Sequence, residues 1–465
     1  MSRDEAAGSP EGPGGAATPY WSEFLSSLNE NNAFVRPGAL RRYQAGLLNH
    51  GEVRIISPYN GTPVISRSNA VGPPGQIAYY FPGPPCFWLL TPRSKFIGGH
   101  PLADAIFESG ALRCNVDGSK GADHALSSDV FQKLRATSKD PDSSEARPAT
   151  LIIGHWNFAH HLWNELPALE TWLRTASDDD IRRLSIISVA EPLGRLEEIF
   201  PRLSLARLSR DRGRDFDNKI AVRVGSCLVT RQIREVLRGH AASHGNTPRV
   251  RELVRQLSDR WPRVWISIRQ GSRTPDNQSE FLLTAIREIL RAYKEAMFVL
   301  DGFSFPMGFL DDPRTRKDRD VFGARATAAS ECIESLRNMA AGEKPELRSR
   351  LLNLSHLNLL ESIHVAGHSD YYLCHAGTLQ HKIAWFHDIP GFVHTTPRDY
   401  QYSLWCTKQV EAGIVPDFLP RKFSARTSSP VFRQDIPRNY NYRILDESGA
   451  VKAVLSAMKS RLRSR

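Results

Sequence analysis

The sequence predicts an α/β protein made of two Rossmann-like halves facing a cleft, with a β-rich N-terminal region ahead of them. Three observations point there. From Ala149 onward, short apolar runs alternate with amphipathic stretches, as in a parallel sheet covered by helices. The alternation restarts near Thr247 and continues to about residue 425, which makes a second half. Before Ala149 the apolar runs are brief and separated by Gly/Pro turns such as GPPG and PGPP, which suits short strands.

Residues 1–19 are polar and rich in Gly, Pro and Ala, so a disordered leader is expected; they lack the apolar stretch of a signal peptide. Over 20–135, EVRIISP, TPVISRS, QIAYYF and CFWLLTP read as strands that complete the first half or form an acceptor-binding module. Arg135–Pro148 reads as a linker. The first half, 149–245, opens with the strand ATLII. A helix follows in which Phe158, Leu162, Trp163, Leu166, Leu169 and Leu173 share a face; RRLSIISVA and KIAVRVGSCLVT are further strands. The second half, 246–425, opens with a helix from Thr247-Pro248, then the strand RVWISIRQ and a helix N-capped by Asn277 or Ser279. The strand AMFVLDGF, the helix LNLLESIHVAGHS, the strand DYYLCHAG, the helix TLQHKIAWFHDI and the strand PGFVHTT complete it. DDPRTRKDRDVFG is expected to be a charged loop, and 426–465 a tail with a helix.

Composition narrows the function classes. The 465 residues suit about two to three domains. With 41% hydrophobic and 24% charged residues the chain is globular. A net charge of +11 suits an anionic partner: nucleic acid, a phosphorylated substrate or an acidic membrane surface. Six scattered cysteines without a CxxC pair argue against a zinc ribbon or a disulfide scaffold and fit a reducing cytosol. No run approaches a membrane span, so a cytoplasmic protein is expected.

Four stretches hold candidate chemistry. In NFAHHLWNELPAL, His160 starts a helix just after a strand, well placed for a general base; Asn157 shares its helical side, while His155 and His161 read as packing. In WISIRQGSRTPDN, Arg269 ends a strand, Arg273 lies in a Gly/Ser loop and Asn277 starts a helix. Guanidiniums beside open N–H groups are what a diphosphate needs. In LCHAGTLQHKIAW, His375 ends a strand and Ala376-Gly377-Thr378 turns into a helix, so backbone can approach a ligand closely. Glu361 in NLLESIHVAG is a candidate for ribose hydroxyls. Other signals fail: DPD, DFD and DRD follow no apolar strand, and HAASH lacks the metalloprotease glutamate. Neither GxxxxGK[ST] nor GxGxxG occurs. ATP-driven phosphoryl transfer and Rossmann dehydrogenase chemistry are therefore not expected.

These stretches occur in an order that resembles the family 61 glycosyltransferases. NFAHHLWNELPAL is similar to that family's Asn-aromatic-x-His-x-Leu-x-x-Glu-Leu-Pro-Arg-Leu segment through Asn157, His160, Leu166 and Pro167, with Ala168 in place of Arg. Arg269, Arg273 and Asn277 match its strand–Arg–x–x–x–Arg–x–x–x–Asn–Glu segment, with Gln278 in place of Glu. His375, Gly377 and Leu379 match its His-Gly-Ala-Gly-Leu-x-Asn segment, with one glycine missing and His381 in place of Asn. The resemblance covers roughly 150–396. It implies a GT-B-type arrangement and metal-free, inverting transfer of a sugar from a nucleotide-sugar donor to a glycan or polysaccharide acceptor. No metal, resident cofactor or nucleic-acid partner is expected. Implied roles are His160 as base with Asn157 orienting it, Arg269 and Arg273 on the departing phosphate, and His375, Gly377, Thr378 and Asn277 around the nucleotide. Glu361 would meet the ribose. The positive charge then suits peripheral docking on an anionic inner membrane. Two other readings stay open: a non-catalytic nucleotide- or glycan-binding scaffold, and a metal-dependent hydrolase using His155, His160, His240, His244 or His375.

Overall fold

The computed structural model describes residues 19–29, 42–72, 76–83, 85–91, 104–107, 111–114, 124–125, 148–210, 219–225, 228–271, 273–397, 399–427 and 441–463. Residues 1–18 of the expected leader and 135–147 of the expected linker lie outside them. The chain forms two compact units. One holds residues up to Glu191 and Phe200–Val229; the other holds Pro192–Ile199 and the chain from Thr230.

In the first unit, four parallel strands are ordered Arg207–Ser209, Ser185–Ser188, Ala149–Ile153, Ile220–Val222. Numbered along the chain this order is 3-2-1-4. Every residue of Ala149–Ile153 and Ser185–Ser188 is buried, which is why both read as continuous apolar runs. The region before Ala149 belongs to this unit and carries an antiparallel sheet running from Ser68–Gly72 to His124–Ala125, together with the hairpin Val53–Ile56/Pro63–Ser66. It covers the edge strand Ile220–Val222: the Asn69 amide pairs with both Ala221 N and O, and Tyr79 Oη donates to Ala221 O. Two helices, Trp21–Asn29 and Arg42–His50, stand where only strands were expected. Buried Tyr43 and Leu47, one helical turn apart, give the second of them its inner face.

The second unit has six parallel strands ordered Leu351–Asn353, Met297–Asp301, Arg263–Ser267, Tyr371–His375, Gly391–His394, Asp417–Phe418. Along the chain this is 3-2-1-4-5-6, the Rossmann order. Two expectations are corrected here, and one strand is added. DDPRTRKDRDVFG is not a loop: after a short 3-10 turn it enters the 28-residue helix Arg316–Glu343, which buries Ala326, Ala329, Ile333, Leu336 and Ala340 on one stripe. Leu351–Asn353 is a strand. The segment after 425 is no appendage: the helix Glu447–Arg463 packs Val451, Val454 and Met458 into the same core as Phe281, Ile286 and Ile289. The units divide at Val229/Thr230, so the helix Arg231–His244 groups with the second unit.

Candidate functional site

Open α/β sheets bind ligands beyond the carboxyl ends of their strands, where the strand order reverses. In the second unit that point lies between Arg263–Ser267 and Tyr371–His375. Ser267 Oγ accepts from the His375 backbone N–H at 3.1 Å and lies 2.9 Å from His375 Nδ1, and Arg269 Nη1 lies 3.0 Å from His375 Nε2. A guanidinium only donates, so Nε2 accepts, and the neutral ring carries its proton on Nδ1 and gives it to Ser267. The ring stays neutral because burial, and then the charge of Arg269, hold its pKa well below the ordinary histidine value. His375 therefore aims Arg269.

Arg273 arrives from the loop after that strand. A Cβ placed on Gly377 would sit 3.3 Å from Arg269 Nη1 and 3.5 Å from Arg273 Nη1, so both guanidiniums converge on this one glycine. Gly377 has φ of +128°, a value that side chains resist. Thr378, partly exposed, starts the helix behind it. Burial and the neighbouring Arg273 charge push the Arg269 pKa down to about 9. Arg273 itself has φ of +62°, a left-handed conformation costing about 1–3 kcal/mol, and its buried Nε has no hydrogen-bond partner among the described residues. Two cations held side by side, one of them strained, have the chemistry to receive an anion with several oxygens.

Two expected contributors have other work. The Asn277 amide donates to Ile444 O at 2.9 Å and to Glu447 Oε1 at 2.6 Å and accepts from Ile444 N at 3.0 Å, so it fastens the C-terminal segment. Glu361 forms a capping box with Asn358 and accepts from Thr247 Oγ1 at 2.8 Å; both its oxygens are engaged in closing helix starts. Residues that sequence reasoning missed complete the site. Gln278 accepts from Arg269 N at 3.0 Å and donates to Arg269 O at 2.9 Å, a double pairing that an ionised glutamate could not make, since it has no donor. Lys382 is buried and bonds both oxygens of Asp301, Gly302 O and Ser304 Oγ, pinning the helix Thr378–Ala384 under the strand Met297–Asp301. His394, its pKa lowered by burial to about 3, meets Tyr442 Oη at 2.5 Å. Of the two other departures, His381 stacks on Trp385 at 3.6 Å between ring centroids, and Ala168 is fully buried in the first unit.

In the first unit the strand Ala149–Ile153 ends at Gly154, whose φ is +115° and whose Cβ would fall 2.3 Å from Ala190 O. Asn157 caps the following turn by accepting from Ala159 N at 3.0 Å, so it shapes the turn and does not hold His160 directly. That task falls to Asn164, whose Oδ1 lies 3.1 Å from His160 Nδ1. With the amide oxygen accepting from Nδ1–H, the neutral ring of His160 carries its lone pair on Nε2. His160 is partly exposed, whereas His161 is fully buried. His155 accepts from Asn157 N at its Nδ1 and is held near a pKa of about 4 by burial and by His160. The segment His161–Glu165 is a π turn, a feature frequent at functional sites. It sets Glu165 Oε2 2.6 Å from His161 Nδ1 and 3.0 Å from Gly154 N. Among the described residues no three His, Cys, Asp or Glu side chains cluster as a metal-ligand set.

No family model matches the chain, and a search of curated proteins finds no match. Among solved structures, the S. aureus MnaA–UDP complex aligns at 12% identity and a TM-score of 0.25 over 57% of this chain; the match spans 61% of the MnaA chain. The Methanocaldococcus jannaschii UDP-GlcNAc 2-epimerase in complex with UDP-GlcNAc and UDP aligns at 11% and 0.26, over 71% of this chain and 79% of that one. The trehalose-6-phosphate synthase OtsA aligns at 11% and 0.24, over 52% and 57%.

Proposed function

We propose that the chain is an inverting, metal-independent glycosyltransferase that moves a sugar from a nucleotide-sugar donor to a glycan or polysaccharide acceptor. The observation that carries this reading is the convergence of Arg269 and Arg273 on Gly377 at the strand ends where the order reverses. As the bond from the anomeric carbon to the donor phosphate breaks, its electron pair stays on the diphosphate. Two fixed guanidiniums stabilise that charge more in the transition state than in the ground state. The acceptor hydroxyl attacks the anomeric carbon and gives its proton to His160. Thr378 and the turn through Gly377 lie along the nucleotide.

A thermal-shift panel of UDP, GDP, CMP, dTDP and ADP with EDTA throughout tests the donor half. One nucleotide should stabilise the protein, and Arg269→Met combined with Arg273→Ala should abolish the shift; no shift with any nucleotide contradicts the reading. His160→Ala should collapse turnover, by about 100-fold or more for a general base, while leaving nucleotide binding intact. Turnover that survives assigns the base elsewhere. No helix among the described residues is long and apolar enough to cross a membrane. The net charge of +11 supports docking on an anionic membrane surface, which predicts salt-reversible cosedimentation with phosphatidylserine vesicles.

A further inference from the structure

The left-handed turn at Arg273 is not held by its own loop alone. The residues just after it are stitched to a segment almost 170 positions further along the chain. Thr274 N donates to Asn441 Oδ1 at 3.1 Å, Tyr442 N donates to Thr274 O at 3.2 Å, and Asp276 N donates to Tyr442 O at 2.7 Å. Asn277 then exchanges hydrogen bonds with Ile444 and Glu447. Within the loop the Thr274 hydroxyl donates to Gly271 O at 3.0 Å. The segment is anchored in turn by the helix Glu447–Arg463, whose Val451, Val454 and Met458 lie in the core of the unit, and by the pairing of Ser424–Arg426 with Tyr442–Ile444. A non-glycine residue keeps a left-handed conformation only where its surroundings over-determine it. Here the C-terminal segment supplies that constraint.

We propose that Asn441–Glu447 is a positioning element of the anion site: by gripping Thr274–Asn277 it fixes the backbone from which Arg273 reaches Gly377. This rests on the anion-binding reading above and adds residues to it that lie outside every motif of the sequence. Tyr442 also lies close enough to Arg269 and Arg273 for their charges to act on its phenol. Asn441 acts through Arg273 and is not itself a ligand of the anion. It is partly exposed, so its loss is tolerable for folding.

The test is a double-mutant cycle on the full chain, read by calorimetric binding of inorganic pyrophosphate in EDTA. Asn441→Ala should weaken binding about five-fold, the value of one backbone hydrogen bond. In an Arg273→Ala background the same substitution should have no further effect, because the group it positions is gone. A merely structural asparagine would weaken binding equally in both backgrounds, and that result overturns the proposal, as does unchanged affinity in Asn441→Ala. Failure of the wild-type protein to bind pyrophosphate overturns the anion-site reading itself and this proposal with it, so the two failures are distinguishable. Arg273→Gly offers a second check. With glycine the turn needs no external grip, so Asn441→Ala in that background should leave the residual affinity unchanged; a further loss there contradicts the proposal.

Discussion

Arg273 is costly to the fold twice over, in its φ of +62° and in its buried, unpartnered Nε. Arg273→Gly removes both. It should stabilise the protein by about 1 kcal/mol, read from the urea midpoint, and weaken diphosphate binding by about tenfold or more. Lower stability with unchanged affinity would make the arginine structural. Arg269 and His375 could be picked out of the sequence because they stand where apolar runs end, and Arg273 and Gly377 because they lie in the loops that follow. Glu361 misled because polar residues at helix starts cap far more often than they bind, whereas Asn277 stands at a helix start without capping it and ties down Ile444 and Glu447, partners that local pattern does not show. Ser267 was invisible, and Gln278 stood out only as a departure from the resembled motif, because their partners are set by the fold and not by local pattern.

At the scale of elements, the π turn His161–Glu165 joins the end of the strand Ala149–Ile153 to the helix Leu166–Thr175 through one carboxylate. Glu165→Leu leaves the Gly154 N–H and His161 Nδ1 buried without that acceptor. It should cost about 2–5 kcal/mol of stability by denaturant unfolding, because two buried donors are orphaned. A loss below about 0.5 kcal/mol would show that the turn holds without it. The longer strands of the two parallel sheets were readable from apolar runs and several of their helices from amphipathic spacing, whereas the short strands Arg207–Ser209 and Asp417–Phe418 were not. The helix Arg316–Glu343 was not, because its first three turns are crowded with charge and its buried stripe is mostly alanine. The strand Leu351–Asn353 is too short to leave a periodic signal. Helical spacing of 3.6 residues also fails across a π turn, so faces read through His161–Glu165 by that spacing do not hold.

Across the whole molecule, burial lowers the pKa of several histidines: to about 4 for His155 and His387, to about 3 for His394, and well below the usual value for His375. In the unfolded chain they titrate near about 6.5, so between that value and the folded pKa the unfolded state binds more protons. Stability therefore falls as pH drops through this window, by up to about 1.4 kcal/mol per pH unit for each such histidine. Urea midpoints at pH 7.5 and 5.5 should show the fall, and His394→Phe should lessen it; equal midpoints would contradict buried neutral histidines. The strand orders 3-2-1-4 and 3-2-1-4-5-6 set the first strand beside the fourth, so in the second unit the loops carrying Arg273 and Gly377 leave neighbouring strands. Linear spacing does not reveal that order. The central claim is that the second unit holds a diphosphate between Arg269 and Arg273. Calorimetry in EDTA, comparing the nucleoside diphosphate that stabilises best with its nucleoside, tests it most directly. The account predicts that the diphosphate binds at least about tenfold more tightly and that Arg269→Met with Arg273→Ala erases the difference. Equal binding of the two, or a preference that survives the double substitution, would contradict it.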